Sequence, residues 1–523
     1  MFKKALVFVH KWLGVALAAF FLMWFATGIV LHFVPFPVLT NLERLAALPK
    51  LEVPADCCLS AHEAAMRAGL SLREARLGLV GQEVVWRLLA HPIHRPAETN
   101  RWYAVDARTG TLQGPEIASL PRGAGLLKDS GVFLKDRGAM SSVKTRAAEI
   151  AMSFSGRRAV ATEIIDRDQW TVPQALNPYR PLVRVELEDA DGLQLYVSVH
   201  AQEVVRDTRR SERFWNWLGA VPHWIYFTEL RRWPQAWHHT VVWLSIPAVL
   251  MAFSGLCLGI WQLFLNKNRW IPYRVVWMRW HHILGLAGAV FVLSWIFSGL
   301  MSMNPFTVFN SRSASDLQTQ SWQQPEFARP AESNPGEALR LLAAALPELR
   351  ELHLLLFDGN WWIRGIAPTG SAWLDPSGKK VLRQLPDEAV RIRLAALRRA
   401  TEPEIELESI ELLKDADDLY YPRDRSDEAR QTRPLPVWRA RWRDGQRIYA
   451  DAGSGRLILR ADSGNEWQRL LYNGLHSLDF AALRARPWMQ TSLIVGLSIL
   501  GIALSLSACV LAWRVLRPRQ MIK

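Results

Sequence analysis

Four histidines occupy matched positions in the two halves of the chain. A shift of 271 residues superimposes His10 on His281, and a shift of 253 residues superimposes His223 on His476. Imidazole nitrogen is a common axial ligand of haem iron. Each pair of matched histidines could therefore hold the iron of one flat macrocycle from its two sides.

The histidines belong to a longer internal repeat. Between 10–28 and 281–299, nine of nineteen positions are identical, which exceeds what two unrelated apolar helices should share. The identical positions of the first copy are His10, Leu13, Gly14, Ala16, Ala18, Phe20, Leu22, Trp24 and Gly28. Thr27 also corresponds to Ser298. Each half therefore consists of a helix, an external domain, an external histidine and a second helix. Both halves enter a membrane in the same direction, so they form a parallel repeat whose axis lies along the membrane normal.

Small residues accompany the first histidine of each half. At helical spacing, Gly14 lies one turn from His10 and Gly28 five turns from it, so all three share one face. Glycine and alanine leave room for a macrocycle beside its ligand, although the same pattern also suits close helix packing. Two matched histidines at one depth favour the ligand interpretation.

Other histidines compete for the outer site. His32 lies at the outer end of the first helix, and His238 and His239 lie at the outer end of the second. His32 with one member of that doublet would make an equally sensible outer ligand set. The repeat favours His223 and His476 instead, because His32, His238 and His239 have no histidine at their matched positions. By the same reasoning His281, rather than His282, is the partner of His10.

Four apolar stretches are long enough to carry these residues across a membrane. They cover about 11–33, 240–263, 283–303 and 490–513, and a hydrocarbon core of about 30 Å needs about 20 apolar residues as a helix. The segments before the first, between the second and third, and after the fourth carry Lys and Arg but no acidic residue, which places them in the cytoplasm. The two long segments would then be periplasmic, and Trp residues near the span ends form an aromatic belt.

The predicted organisation follows from this topology. The spans and their connections are helix 1 at 1–34, periplasmic segment 1 at 35–234, helix 2 at 235–264, a cytoplasmic loop at 265–280, helix 3 at 281–304, periplasmic segment 2 at 305–487, helix 4 at 488–514 and a cytoplasmic tail at 515–523. The fold class is an α-helical membrane protein with four transmembrane helices as a two-fold repeat and two α+β periplasmic segments.

The external segments read as small modules of helix and antiparallel strands. In the module at about 59–114, Ser60 and Glu63 form a capping box that starts a helix, and strands follow at 84–89 and 102–105. A second helix starts at Asn334, a strand covers 361–366, and a third hairpin begins at 447. These modules show no nucleophile–base set, metal-ligand spacing or phosphate loop.

Composition excludes several classes of function. Of 523 residues, 50% are hydrophobic, and only four are cysteine, so neither a disordered chain nor a disulfide scaffold fits. The net charge of +14 partly reflects the positive cytoplasmic segments, which makes nucleic acid a poor partner. Cys57 and Cys58 are an adjacent external pair, for which redox, copper-binding and intermolecular roles all stay open.

The chain resembles the PepSY-associated transmembrane family. The run from His10-Lys11-Trp12-Leu13-Gly14 to Thr27-Gly28, its copy at 281–299, the Leu475-His476 element and the Asp-x-x-x-Gly modules carry the resemblance, which covers nearly the whole chain. It implies a multi-pass protein of the bacterial inner membrane, with both termini cytoplasmic and haem held by histidine between the helices. Some members are di-haem reductases of ferric siderophores, so the resemblance also implies two b-type haems and an oxidoreductase role.

An electron wire across the membrane would need a donor and an acceptor. A ferric siderophore or another periplasmic metal complex is the expected acceptor. The sequence has no G-x-G-x-x-G after a strand, and its cytoplasmic segments are too short for a flavin or nicotinamide domain. Quinol in the membrane lipid or a separate cytoplasmic reductase is the expected donor.

Two rival classes compete with this hypothesis. A haem-free membrane-anchored binding or regulatory module would use the external segments for a peptide or envelope partner. A permease would need polar residues along a path at mid-membrane, and the four spans offer few.

Overall fold

The computed structural model describes residues 2–54, 57–114, 137–265, 271–328, 334–399, 404–422 and 432–517. Its described residues divide into two compact units. Unit 1 comprises 1–36, 211–310 and 463–523, and unit 2 comprises 37–210 and 311–462. Several basic residues behind the predicted orientation, Lys267, Arg269, Arg519 and Lys523, lie outside the described residues.

Unit 1 is built on four long helices: α1 at Phe2–Phe33, α8 at Pro234–Leu265, α9 at Val276–Ser302 and α16 at Pro487–Leu516. Their length and composition suffice to cross a membrane. Each helix begins before the apolar stretch predicted for it, and α8 and α16 each begin at a proline, which suits the first turn of a helix. The fold class is thus confirmed at the level of four apolar helices with additional α+β regions.

Short helices complete unit 1. Before α8 lie α5 at Arg210–Leu218, α6 at Ala220–His223 and α7 at Thr228–Arg231. Before α16 lie α13 at Ser463–Gln468, a π-helix at Arg469–Gly474, α14 at Leu475–Ser477 and α15 at Ala481–Arg484. Ile225 and Leu478 both adopt left-handed backbone geometry, with φ of 53° and 52°, and they occupy matched positions. The two segments that carry His223 and His476 therefore turn in the same way.

Unit 2 contains an eight-stranded antiparallel sheet in the order β12-β11-β10-β9-β1-β2-β3-β4. The first four strands along the chain are β1 at Leu70–Val80, β2 at Glu83–Pro92, β3 at Arg101–Asp106 and β4 at Leu112–Gln113. Strands β9 at Glu351–Phe357, β10 at Asn360–Ala367, β11 at Gly370–Leu374 and β12 at Val381–Leu382 continue it. The sheet is therefore two four-stranded meanders joined where β1 pairs with β9.

Two further four-stranded sheets stand in unit 2, each in chain order. One consists of β5 at Ala159–Ile165, β6 at Leu182–Leu187, β7 at Gln194–Ser198 and β8 at Val204–Thr208. The other consists of β13 at Leu407–Leu413, β14 at Val437–Trp442, β15 at Arg447–Asp451 and β16 at Leu457–Ala461. The sequence prediction of one module in the first segment missed strands β5–β8. Strand β5 lies at an edge of this sheet, and most of its residues are accessible.

Helices flank these sheets. They are α2 at Asn41–Ala47, α3 at Ala61–Arg67, α4 at Arg137–Ser155, α10 at Asp316–Gln323, α11 at Pro335–Ala345 and α12 at Asp387–Arg399. The predicted capping box of Ser60 and Glu63 is present at the start of α3, and Asn334 caps α11. Cys57 and Cys58 are joined by a disulfide next to the core under the eight-stranded sheet.

A buried ion network crosses the centre of the eight-stranded sheet. Glu351 on β9 is fully buried and receives two hydrogen bonds of 2.7 Å from the guanidinium of Arg44. The Nε2–H of His353 donates to the same carboxylate at 2.9 Å. Glu203 accepts from Arg76 at 2.8 Å and lies 3.6 Å from Arg87. The neighbouring guanidinium of Arg44 and the His353 hydrogen bond hold the pKa of Glu351 well below its usual value, despite its burial.

A buried histidine in unit 2 predicts acid sensitivity. His200 is 4% exposed beside Tyr103, and burial lowers the pKa of its imidazole to about 4. The folded state therefore binds fewer protons than the unfolded chain below pH about 6.5, and stability present above that pH is lost as pH falls towards 4. His200→Gln should remove up to about 3 kcal/mol of this acid-induced loss. Urea unfolding midpoints of the wild type and of His200→Gln, each at pH 7.5 and pH 5, measure this effect. An equal fall in midpoint for the two proteins would contradict the prediction.

Candidate functional site

The inner pair of matched histidines meets inside the helix bundle. His10 on α1 and His281 on α9 have ring centres 6.2 Å apart. His10 Nδ1 lies 3.1 Å from the carbonyl of Met251 and 3.3 Å from Ser254 Oγ, both on α8. His281 Nδ1 lies 3.0 Å from Ser507 Oγ on α16. Helices α1 and α9 thus supply the imidazoles, and α8 and α16 supply their hydrogen-bond partners.

The outer pair meets with the roles of the helices exchanged. His223 and His476, which precede α8 and α16, have ring centres 6.3 Å apart. The Nδ1 atom of His223 lies 3.2 Å from both the Trp24 carbonyl and Thr27 Oγ1 on α1.

The second member of the outer pair has the same kind of partners on α9. The Nδ1 atom of His476 lies 3.2 Å from the Trp295 carbonyl and 3.1 Å from Ser298 Oγ. Carbonyl and hydroxyl partners therefore occur at matched positions around both outer imidazoles.

The carbonyl partners of Nδ1 show where three of the imidazoles carry their proton. The Nδ1 atoms of His10, His223 and His476 each lie beside a backbone carbonyl oxygen. A carbonyl can only accept a hydrogen bond, so Nδ1 is the protonated nitrogen in these three rings, and the lone pair is left on Nε2, the nitrogen that binds metal. The hydroxyls beside the four rings each lie within hydrogen-bond distance of a carbonyl of their own helix, at 2.7 Å for Thr27, 2.9 Å for Ser254 and Ser298, and 2.6 Å for Ser507.

The ring separations suit a metal ion between the two imidazoles of each pair. Two imidazole nitrogens bound on opposite sides of one metal, each at about 2 Å, lie about 4 Å apart. The two ring centres lie farther apart than the nitrogens, because each centre stands behind its own nitrogen. Separations of 6.2 and 6.3 Å match this arrangement.

Each pair offers two histidine ligands, which is the number that haem iron needs from a protein. Among the described residues, no group of three or more His, Cys, Asp or Glu is arranged to hold a metal ion. Iron in haem already has four porphyrin nitrogens and needs only two axial ligands from the protein. A Cβ atom added to Gly14, one turn from His10, would meet nothing within 4 Å. One added to Gly285 would meet only the tip of Leu504 at 3.8 Å, so both glycines have free space at the Cβ position.

Glycines also allow the outer histidines to approach the helices. A Cβ atom at Gly28 would lie 3.2 Å from His223 Cε1, and one at Gly299 would lie 3.6 Å from His476 Cε1. The sequence analysis placed both glycines on the ligand face as room for a macrocycle. Here they make room for the ligand itself.

The remaining candidate histidines lie elsewhere. His32 Nε2 bonds Thr491 Oγ1 at 3.0 Å, and its ring contacts Phe33. His238 and His239 contact each other, with ring centres 5.5 Å apart. His282 is buried against Tyr273, at 5.4 Å between ring centres. The structure therefore does not bring His32 to the doublet.

Sequence reasoning noted Thr27 and Ser298 only as matched positions and did not use Ser254 and Ser507. Their role as partners of Nδ1 needed the structure, because each hydroxyl comes from a different helix than its histidine. The available signal was their recurrence: Thr27 with Ser298, and Ser254 with Ser507, at the same two sequence shifts as the histidines.

Removal of a single hydroxyl should weaken the outer site. Thr27→Val keeps the shape of the side chain but leaves the Nδ1–H of His223 with one acceptor fewer. Hydrogen-bond partners of ligand imidazoles commonly contribute about 10–100-fold to metal affinity, and we expect a loss of haem affinity of about this size. Haem retained after dilution into a haem scavenger measures it. Thr240→Val is the matched control, since the Thr240 hydroxyl bonds only its own helix. Equal haem loss in both variants would contradict the assigned role.

No protein-family model and no curated protein matches this chain. The interpretation of the site therefore depends on its residues alone.

Proposed function

We propose that this protein is a multi-pass, haem-containing electron-transfer protein of the bacterial inner membrane. It would move electrons from the cytoplasmic side to a periplasmic ferric acceptor of the siderophore type, as some members of the PepSY-associated family do. The observation that carries the proposal is the meeting of the four matched histidines as two pairs, with ring centres 6.2 and 6.3 Å apart.

The proposed chemistry is transfer of single electrons. Haem b held by two imidazoles accepts and releases one electron without opening a position for oxygen. His10 and His281 would hold the inner haem, and His223 and His476 the outer one. The hydroxyls of Ser254, Ser507, Thr27 and Ser298 would hold the rings in orientation through their contacts with Nδ1.

The arrangement of helices supports a duplicated origin for the two halves. Inner ligands come from α1 and α9 and are braced by α8 and α16. Outer ligands come from the segments before α8 and α16 and are braced by α1 and α9. Every ligand and every hydroxyl has a counterpart at a shift of 271 or 253 residues. A two-fold pseudo-axis along the membrane normal would relate the copies, with both termini in the cytoplasm.

The electron donor and acceptor would be separate molecules. Quinol from the membrane or a cytoplasmic reductase would supply the inner haem. Arg180 of unit 2 is buried and donates to the carbonyls of Asp166 and Thr171, so it is not exposed to a negatively charged chelate. Recognition of a ferric acceptor would therefore depend on other residues of the external modules.

A visible spectrum of the detergent-purified protein tests this proposal. We expect reduced-minus-oxidised bands of low-spin b-type haem, with two haems per chain by pyridine haemochrome quantification. A colourless protein, expressed with adequate haem supply, would refute the proposal. The haem-free membrane-anchored module would then be the better account, and pull-down with the external modules would be the next experiment.

A further inference from the structure

We propose that Arg231 binds an anionic oxygen, a phosphate or carboxylate, that this chain does not itself provide. Arg231 ends α7, three residues before α8 begins at Pro234. It is only 5% exposed, and its Nε is buried without a hydrogen-bond partner. Buried guanidinium groups are costly unless they are paired.

The contacts of Arg231 are aromatic and not acidic. Its guanidinium lies 4.6 Å from the ring centre of Tyr226 and 4.3 Å from that of Trp237. Among the residues that the structure describes, its side chain forms no ion pair and no hydrogen bond. Two cation–π contacts orient the group and compensate part of its desolvation, but they satisfy none of its five N–H donors.

The matched arginine of the other half shows what is missing. Arg484 pairs with Asp479, with 3.2 Å between Nε and Oδ1. The shift of 253 residues that relates these arginines places Tyr226 at the position of Asp479. Ile225 and Leu478, which directly precede these two positions, both have a left-handed φ, of 53° and 52°. Where one half has a carboxylate for its arginine, the other has an aromatic ring and an unpaired cation.

The surroundings of Arg231 favour a phospholipid headgroup as the source of the anion. Trp224, Phe227 and Trp233 are 37%, 46% and 58% exposed around this segment. Exposed aromatic rings at the end of a spanning helix belong at the level of the lipid headgroups. A phosphate at that level would accept hydrogen bonds from the guanidinium and neutralise it. The other source of the same chemistry is a propionate of the proposed outer haem, and only that alternative depends on the proposed function.

Thermal stability with added lipid tests the inference on the full-length protein in detergent. Phosphatidylglycerol should raise the melting temperature of the wild type more than phosphatidylcholine does, because only ligands of the folded state stabilise it. Arg231→Gln should lose this preference. Tyr226→Asp should lose it too, since an internal carboxylate then occupies the guanidinium. Arg231→Lys should retain part of it. Arg232→Gln, next to Arg231 in sequence and paired with Glu229, is the matched control and should keep it.

A second readout separates the two sources of the anion. If phosphatidylglycerol has no preferential effect, but Arg231→Gln shifts the midpoint potential of one haem and lowers its retention, the anion is the cofactor carboxylate. If Arg231→Gln changes neither the lipid response nor the haem potential or content, the inference is overturned and the two rings alone accommodate the cation. A protein without haem refutes the proposed function but leaves the lipid experiment intact.

Discussion

His476→Ala should yield a protein that keeps one haem per chain, and His10→Ala should yield the complementary single-haem protein. Each substitution removes one of the two axial ligands of a site. The remaining single imidazole should bind the haem iron more weakly than the pair does. The bands lost from the spectrum should differ between the two variants, because the two sites have different surroundings. The measurement is haem per chain together with the low-temperature spectrum.

Two histidine variants serve as controls for this result. His32→Ala and His238→Ala alter histidines at the same end of the bundle as His476, but His32 bonds Thr491 and His238 contacts His239. Both variants should retain two haems. Loss of the outer haem in His32→Ala, with retention in His476→Ala, would move the outer site to the competing ligand set.

Glu351→Gln should destabilise unit 2 by about 3–5 kcal/mol, the usual consequence of removing one partner from a buried ion pair. The substitution breaks the two-point contact with Arg44 and leaves that guanidinium beside Arg76 and Arg87 with Glu203 as the only carboxylate of the network. Urea unfolding followed by tryptophan fluorescence should show the lower midpoint. The effect should persist at high salt, because the network is shielded from solvent.

An exposed ion pair provides the matched control. Glu408 pairs with Arg441 at 2.9 Å, and the two side chains are 46% and 42% exposed. Glu408→Gln should therefore cost no more than about 1 kcal/mol. A midpoint for Glu351→Gln equal to that of Glu408→Gln would show that the network contributes nothing beyond ordinary surface pairs.

The helical part of this protein could be predicted from sequence because its signals are long. Runs of about 20 apolar residues identify four spans without any knowledge of packing. The ends were less certain: α1 begins at Phe2, since the residues around Lys3 and Lys4 continue the helix beyond the apolar stretch. Capping residues such as Ser60 and Asn334 placed two short helices, because the N-cap hydrogen bond is local.

The external modules were harder to predict because strand signals are short. Strand β1 was missed, although Leu70–Val80 is the longest strand of the eight-stranded sheet, since Arg73, Glu74 and Arg76 interrupt its apolar pattern. Arg76 is buried nonetheless, because it pairs with Glu203, 127 residues away. No local pattern reports such a partner.

Repetition made the histidine pairs predictable as pairs. A single histidine near an apolar helix has no distinctive meaning, but His10 and His281 share their neighbours at every turn. The choice between His223 with His476 and the His32, His238 and His239 set could be argued only from that repeat. The first set is brought together by the way α1 and α9 pack against α8 and α16. Its ring separations and hydroxyl contacts are consequences of that packing.

The junction between β1 and β9 has a consequence for biosynthesis. The two strands meet across about 280 residues of chain that include α8 and α9. Until the ribosome has produced β9, strand β1 presents an unpaired edge, and such edges template aggregation. We therefore expect the nascent first half to be prone to aggregation, and a truncated chain ending before β9 should accumulate as aggregate or be degraded.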